Sequence, residues 1–185
     1  MEDAFLQCFG WVTELLEKRP ASDFFDSSSE EYAIVEKLRA GWGKRDTAEL
    51  LRELDGEYGV RAGQAVEAYL ERNVYMDWVE TGRREAHEGT EVDDFIRLLW
   101  EPLKPLGFEY SIAQESGRTT FCVSRCPVFE LAQKTGMHRW LYHLACSTDF
   151  FSSRGFSPRL GFDRTKTLMQ GDECCNHQYY YKKTE

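Results

Sequence analysis

Gly107–Pro127 reads GFEYSIAQESGRTTFCVSRCP, and the fold turns on this stretch. Phe108, Tyr110 and Ile112 alternate with polar residues, the period-two pattern of a half-buried strand. Glu115-Ser116-Gly117 supplies a turn. Thr119, Phe121 and Val123 resume the alternation, so the stretch predicts a β-hairpin. Pro127 suits the first position of a helix, which Gly136 ends. A second helix is expected from about His138 to Phe151. Beyond a loop at Ser153–Pro158, Leu160–Leu168 reads as a strand, Gly171-Asp172 as a turn and Cys174–Tyr181 as the last strand. The C-terminal region, 107–185, is thus β-β-α-α-β-β.

Upstream, in 1–106, the period lengthens to that of helices. Phe5, Cys8, Phe9, Val12, Leu15 and Leu16 share one face, and Pro20 stops that helix. Glu30–Trp42 turns Ile34, Val35 and Leu38 inward. Asp46, followed three residues on by Glu49, resembles a cap before Leu50, Leu51 and Leu54. A longer helix runs from about Ala62 to a charged loop at Gly82–Gly89. Thr90 caps a short helix holding Phe95, Leu98 and Leu99, which ends near Pro102 and Pro105. The expected fold class is α+β, with the N-terminal helices packed on a C-terminal antiparallel-sheet unit, the two regions making one compact body.

Composition limits the partners. The 185 residues carry a formal net charge of -9 and are 42% hydrophobic. That balance speaks against non-specific binding to nucleic acid or to an anionic membrane, because such binding needs a cationic face. No apolar run approaches the roughly 20 residues that span a bilayer. The acidic opening MEDAFLQCFG lacks the basic segment of a secretory signal. A cytoplasmic protein is expected, with its six cysteines mainly reduced. The amphipathic N-terminal helices offer a surface for a homo-oligomer.

The chemistry-bearing residues lie in the second region. Cys126, just before Pro127, takes an N-cap position, where free N–H groups and the helix dipole stabilise an anion. A thiol there is expected to have a lowered pKa and to act as a nucleophile or ligand; the bland alternative is a small buried side chain at a corner. His143, Cys146 and Asp149 recur every three residues on one helix, which suits acid–base work or metal ligation. Each also has an ordinary structural reading. Cys175 shares a strand face with His177, and Cys174 with Asn176. Cys126, Cys146 and Cys175 form a conceivable ligand set for a divalent metal such as zinc, although no spacing here is that of a zinc knuckle. Arg164 suits a bidentate grip on a carboxylate or a solvated strand edge. No phosphate-binding glycine loop, G-x-G-x-x-G, H-E-x-x-H or G-x-S-x-G motif is present.

Cys126-Pro127, Cys146-Ser-Thr-Asp149, Arg164-Thr165-Lys166-Thr167 and Gly171-Asp172-Glu173-Cys174-Cys175, taken in order, resemble the L-2-amino-thiazoline-4-carboxylic acid hydrolase family. The family pattern continues past its cysteine position with an acidic residue and an aromatic, where this chain has Asn176 and His177. The resemblance implies a hydrolase acting on cyclic C–N bonds, opening a small carboxylate-bearing thiazoline ring to N-carbamoyl-L-cysteine. On that reading Arg164, Thr167, Asp172 and His177 hold the substrate. Asp149 activates water or protonates the ring nitrogen. Cys126 is the nucleophile, or joins Cys146 and Cys175 on a metal that activates water. The outline is also similar to the small-molecule-binding domain of the 4-vinyl reductase type, which implies a sensor of a ligand, metal or redox state without turnover. A helical interaction protein with core cysteines is the third alternative.

Overall fold

The computed structural model describes residues 4–183. The chain falls into two compact units that interleave along the sequence. One comprises the residues up to Asn73 together with Leu131–Thr148; the other comprises Val74–Glu130 and the residues from Asp149 onward. The change of periodicity at Gly107 therefore marks where strands begin, while the compact units divide elsewhere.

The first unit is helical. Its N-terminal helix is interrupted: α1 spans Ala4–Cys8 and α2 spans Gly10–Lys18, with Phe9 between them outside the helical region. Glycine is a poor residue to continue a helix through, and the break keeps Phe5, Phe9, Val12, Leu15 and Leu16 buried. Cys8, expected inward, is only half-buried. Helix α3, Glu30–Gly41, starts at Ser29, whose hydroxyl accepts from Tyr32 N. Helix α4, Thr47–Tyr58, starts as read from the sequence, with Asp46 accepting from Glu49 N at 2.8 Å. Helix α5, Val60–Glu85, contributes Tyr69, whose hydroxyl reaches the carbonyls of Leu15 and Arg19. Burial pushes that phenol up to about 12. Helices α7, Pro127–Thr135, and α8, His138–Leu141, lead into a π-helical turn, Tyr142–Cys146.

The second unit holds a four-stranded sheet of β1 (Glu109–Glu115), β2 (Arg118–Arg125), β3 (Leu160–Asp163) and β4 (Cys175–Tyr181), every neighbouring pair antiparallel, in the order β1-β2-β4-β3. The hairpin is as expected: β1, Glu109–Glu115, and β2, Arg118–Arg125, pair antiparallel. Ser116 (φ 51°) and Gly117 (φ 75°) supply the two positive-φ positions that a tight hairpin turn demands. On β2, Phe121 and Val123 are buried, but Ile112 on the edge strand β1 is 55% exposed, so its alternation does not face the core. Helix α6, Glu91–Trp100, and helix α9, Thr148–Phe156, meet the sheet through aromatic rings. Phe95 lies 5.4 Å from both Phe156 and Tyr179, and Trp100 stacks on Phe121 at 4.5 Å.

Two boundaries differ from the sequence reading. Helix α9 continues through Ser152 and Ser153 because their hydroxyls donate to the carbonyls of Asp149 (3.0 Å) and Phe150 (3.2 Å) within the helix. Strand β3 is confined to Leu160–Asp163. Beyond it the side chain of Asn176 accepts from Thr165 N (3.0 Å) and Lys166 N (2.6 Å). A side-chain amide thus does what a further ladder residue would have done. The last strand, β4, is Cys175–Tyr181.

Cys122 and Cys174 form a disulfide, so the expectation of reduced thiols fails for this pair. Their Cα atoms are 5.6 Å apart, a separation that suits a bridge. They lie where β2 runs beside the entry to β4, on the sheet face opposite the buried Phe121 and Cys175. The remaining cysteines, Cys8, Cys126, Cys146 and Cys175, are free.

Candidate active site

The sheet-bearing unit brings together Asp149, Arg164 and His177, drawn from three places in the sequence. Asp149 stands in the first turn of α9, Arg164 just after β3 and His177 on the buried face of β4. Arg164 Nη1 and His177 Nε2 (3.1 Å) both engage Asp149 Oδ2. The Arg164 side chain is 3% exposed, His177 9% and Asp149 22%, so the carboxylate is the part of the cluster most open to solvent. Aromatic rings surround it. The imidazole stacks with Phe162 at 5.8 Å and meets Trp100 edge-on at 5.1 Å. The guanidinium lies 5.2 Å from the centre of the Phe150 ring, a separation that suits a cation–π contact.

His177 Nδ1 is buried and meets no hydrogen-bonding partner among the described residues. When Nε2–H donates to Asp149, Nδ1 carries a lone pair. Buried polar atoms are nearly always paired, so an imidazole fixed on one side by a carboxylate and unmatched on the other calls for a functional account.

Cys126 sits where the sequence placed it. Its carbonyl accepts from Glu130 N at 3.0 Å, as an N-cap does. Its pKa runs opposite to the expectation: burial pushes the thiol up to about 11. Hydrogen bonds from the Phe129 and Val128 N–H groups pull it down, and the negative charges that Cys175 and Asp149 bring push it up further. Desolvation therefore outweighs the helix start, and the thiol is protonated near neutrality.

The other expected site residues separate into different jobs. The Cys175 thiol accepts from Leu168 N (3.3 Å) and lies 3.5 Å from Thr167 Oγ1. Asp172 Oδ2 accepts from Thr167 N at 2.8 Å, while Asp172 N donates to the Thr167 carbonyl at 3.2 Å. Thr167 and Asp172 thus close the loop that carries Arg164 to β4. The helix face proposed for His143, Cys146 and Asp149 is broken by the π turn at Tyr142–Cys146. His143 there pairs with Glu67 in the helical unit, which also holds Cys146. Among the described residues no group of three or more His, Cys, Asp or Glu side chains is placed to hold a metal ion, so Cys126, Cys146 and Cys175 do not form the ligand set considered above. Trp100, Phe150 and Phe162 went unnoticed as site walls, since single aromatics in an aromatic-rich sequence carry no spacing signal.

An antiparallel sheet with a half-buried acid–base cluster at one face defines this as an α+β protein with a candidate acid–base centre. The family model of L-2-amino-thiazoline-4-carboxylic acid hydrolase matches residues 28–179, and the chain belongs to that family. No curated protein matches it significantly. Among solved structures, an H-NOX protein from S. oneidensis in the Fe(II)NO ligation state is similar over 98% of this chain and 95% of that one, at 12% identity and a TM-score of 0.42. That likeness is too slight to carry an argument. Among the described residues no helix is long and apolar enough to cross a membrane.

Proposed function

We propose that the sheet-bearing unit hydrolyses a small thiazoline-type ring, with L-2-amino-thiazoline-4-carboxylate or a close relative as substrate, and that His177 is its general base. The observation that carries this reading is the buried, unmatched Nδ1 of His177 opposite the Asp149 contact. A histidine oriented by a carboxylate through one nitrogen offers the other to a water molecule. Arg164 is committed to Asp149, so it acts as a positioning residue through that carboxylate, in place of the substrate grip first assigned to it. Membership of the hydrolase family supports the reaction class.

Water adds its oxygen to the amidine carbon, and His177 Nδ1 takes the released proton and passes it to the ring nitrogen. The tetrahedral adduct then collapses: its hydroxyl loses a proton to His177 as the carbonyl forms, and the carbon–sulfur bond breaks. The electron pair leaves on sulfur, which takes the proton from the imidazolium. Both carbon–nitrogen bonds survive in the N-carbamoyl-L-cysteine produced, so the bond that opens the ring is carbon–sulfur. A thiol protonated near neutrality is not needed as nucleophile, and Cys126 instead packs the helix start beside the site.

The test is incubation of the purified protein with L-2-amino-thiazoline-4-carboxylate, read by mass spectrometry for the gain of one water and by appearance of a free thiol. Turnover that is lost in His177→Gln and retained in Cys126→Ser is the expected result. No product from the native protein, or full turnover in His177→Gln, overturns the reading. Ligand-dependent stabilisation without product would move the protein to the binding class.

A further inference from the structure

A concavity lies wholly within the sheet-bearing unit, lined by none of the Asp149 cluster, next to two close backbone approaches. A Cβ at Gly82 would fall 2.0 Å from the Phe156 carbonyl oxygen, and one at Gly155 would fall 2.5 Å from the Tyr75 carbonyl oxygen. The later part of α5 and the end of α9 therefore touch backbone to backbone. Beside this contact lies a cleft of about 560 Å³.

The lining is cationic in a chain of net charge -9. Arg83, Arg154 and Arg159 line it, against Glu88 and Glu91. Glu91 is held by Arg159 at 3.1 Å and by Gly89 N at 2.9 Å, which removes one charge of each sign. Arg83 and Arg154 engage no carboxylate among the described residues, although every other arginine of the unit does: Arg84, Arg97, Arg118, Arg125, Arg159 and Arg164 are each paired. Two uncommitted guanidiniums on different helices, converging on a cleft with apolar walls from Val79, Ala86 and Pro158, match a ligand with anionic groups and a short apolar body.

We propose that the cleft between the end of α5 and the end of α9 binds a small organic dianion, gripped by Arg83 and Arg154. A phosphate monoester and a dicarboxylate share that chemistry. Helix α9 joins this cleft to the candidate active site: Asp149 opens the helix and Arg154 lies five residues on, roughly 8 Å along its axis. The site does not depend on the hydrolase reading, because none of its residues belongs to the Asp149 cluster.

Isothermal titration of the full chain with phenyl phosphate and, separately, with phthalate tests the proposal, inorganic phosphate serving as the bare anion. Saturable binding of at least one organic dianion is expected. It should weaken by about tenfold or more in Arg83→Gln and in Arg154→Gln, and remain in His177→Gln and in Arg61→Gln, an exposed arginine of α5 outside the cleft. Both cleft arginines are exposed, so their variants should melt near the parent, which a thermal scan verifies. Binding of phenyl phosphate alone or of phthalate alone supports the site and fixes the anion class. No saturable heat with either organic dianion, or binding weakened equally in Arg61→Gln, overturns it.

Discussion

Each compact unit holds a histidine–carboxylate pair with a largely buried imidazole, and these two pairs differ in what surrounds them; the His87–Asp94 pair of the sheet-bearing unit has an exposed imidazole and stands apart. In the helical unit His143 Nδ1 meets Glu67 on a π turn, with side chains 17% and 30% exposed. A Cβ at Gly63 would come within 2.6 Å of the His143 ring, so the glycine is what lets that imidazole lie flat on α5. Among the described residues no arginine is paired with Glu67. In the sheet-bearing unit the His177–Asp149 pair is backed by a buried arginine and walled by rings, and one imidazole nitrogen is buried and unmatched. Among the described residues, the unmatched buried side-chain group of the helical unit is the indole N–H of Trp140, a donor that takes no proton. Pairing of histidine with a carboxylate is thus common to both units; among the described residues, a paired imidazole whose other nitrogen is buried and unmatched is found in the sheet-bearing one.

The largest expected effect would break or secure that distinction. His177→Gln and Asp149→Asn should each lower turnover by about 10²- to 10⁴-fold, while His143→Gln and Glu67→Gln leave it within a few-fold. Initial rates of ring opening, taken with melting curves for all four variants, make the check. Equal losses in both units would erase the difference on which the assignment rests.

The next effect concerns stability, and the disulfide is confined to the sheet-bearing unit. Cys122 and Cys174 are separated by 52 positions, and closing a loop of that size stabilises by about 4 kcal/mol in the chain-entropy account. Reduction, or Cys122→Ser, should lower the urea midpoint of the signal from the buried sheet aromatics. It should move the signal of the helical unit less. Coincident shifts of both signals would mean that the units unfold as one.

These two predictions rest on features with very different legibility in the sequence. The hairpin, the Asp46 cap and the placement of Cys126 before α7 were readable because each is local: alternation, a capping spacing, a proline. His177 was readable as a face-mate of Cys175 and, through the family resemblance, as a residue holding substrate, but its link to Asp149 was not readable, since 28 positions separate them and no local pattern encodes the approach. The disulfide was missed because compartment reasoning says nothing about which strands become neighbours. The reversed pKa of Cys126 shows the same limit, since the helix start is local and visible whereas the burial that outweighs it is tertiary.

Cys126 sharpens the comparison next. With its pKa pushed up to about 11 by burial, Cys126 should react slowly with iodoacetamide at neutral pH, and its rate should climb only as pH nears that value. The sign also fixes a stability trend. Above the ordinary thiol value of 9.0 the unfolded chain releases this proton while the folded chain keeps it. The unfolded state then binds fewer protons, so stability conferred by the neutral thiol is present below pH 9 and is lost as pH rises toward 11. Tyr69 in the helical unit, pushed up to about 12 from 10.0, extends the same decline to higher pH. Rapid alkylation of Cys126 at pH 7, mapped by mass spectrometry, would restore the activated-thiol reading.

The smallest expected effect compares one helix start from each unit. In the helical unit Asp46 accepts from Glu49 N, and Asp46→Ala should cost about 1 kcal/mol. In the sheet-bearing unit Thr90 occupies the cap position of α6 without accepting from the helix; its hydroxyl lies 3.0 Å from Asp94 Oδ2. That same oxygen accepts from His87 N at 3.0 Å, so Asp94 ties down the loop leading into α6 with or without the threonine. Thr90→Ala should therefore cost less than Asp46→Ala although both residues look like caps in the sequence. Urea titrations of the two variants decide it, and a Thr90→Ala loss as large as that of Asp46→Ala would mean that the hydroxyl, by holding the Asp94 carboxylate, matters as much as a direct cap.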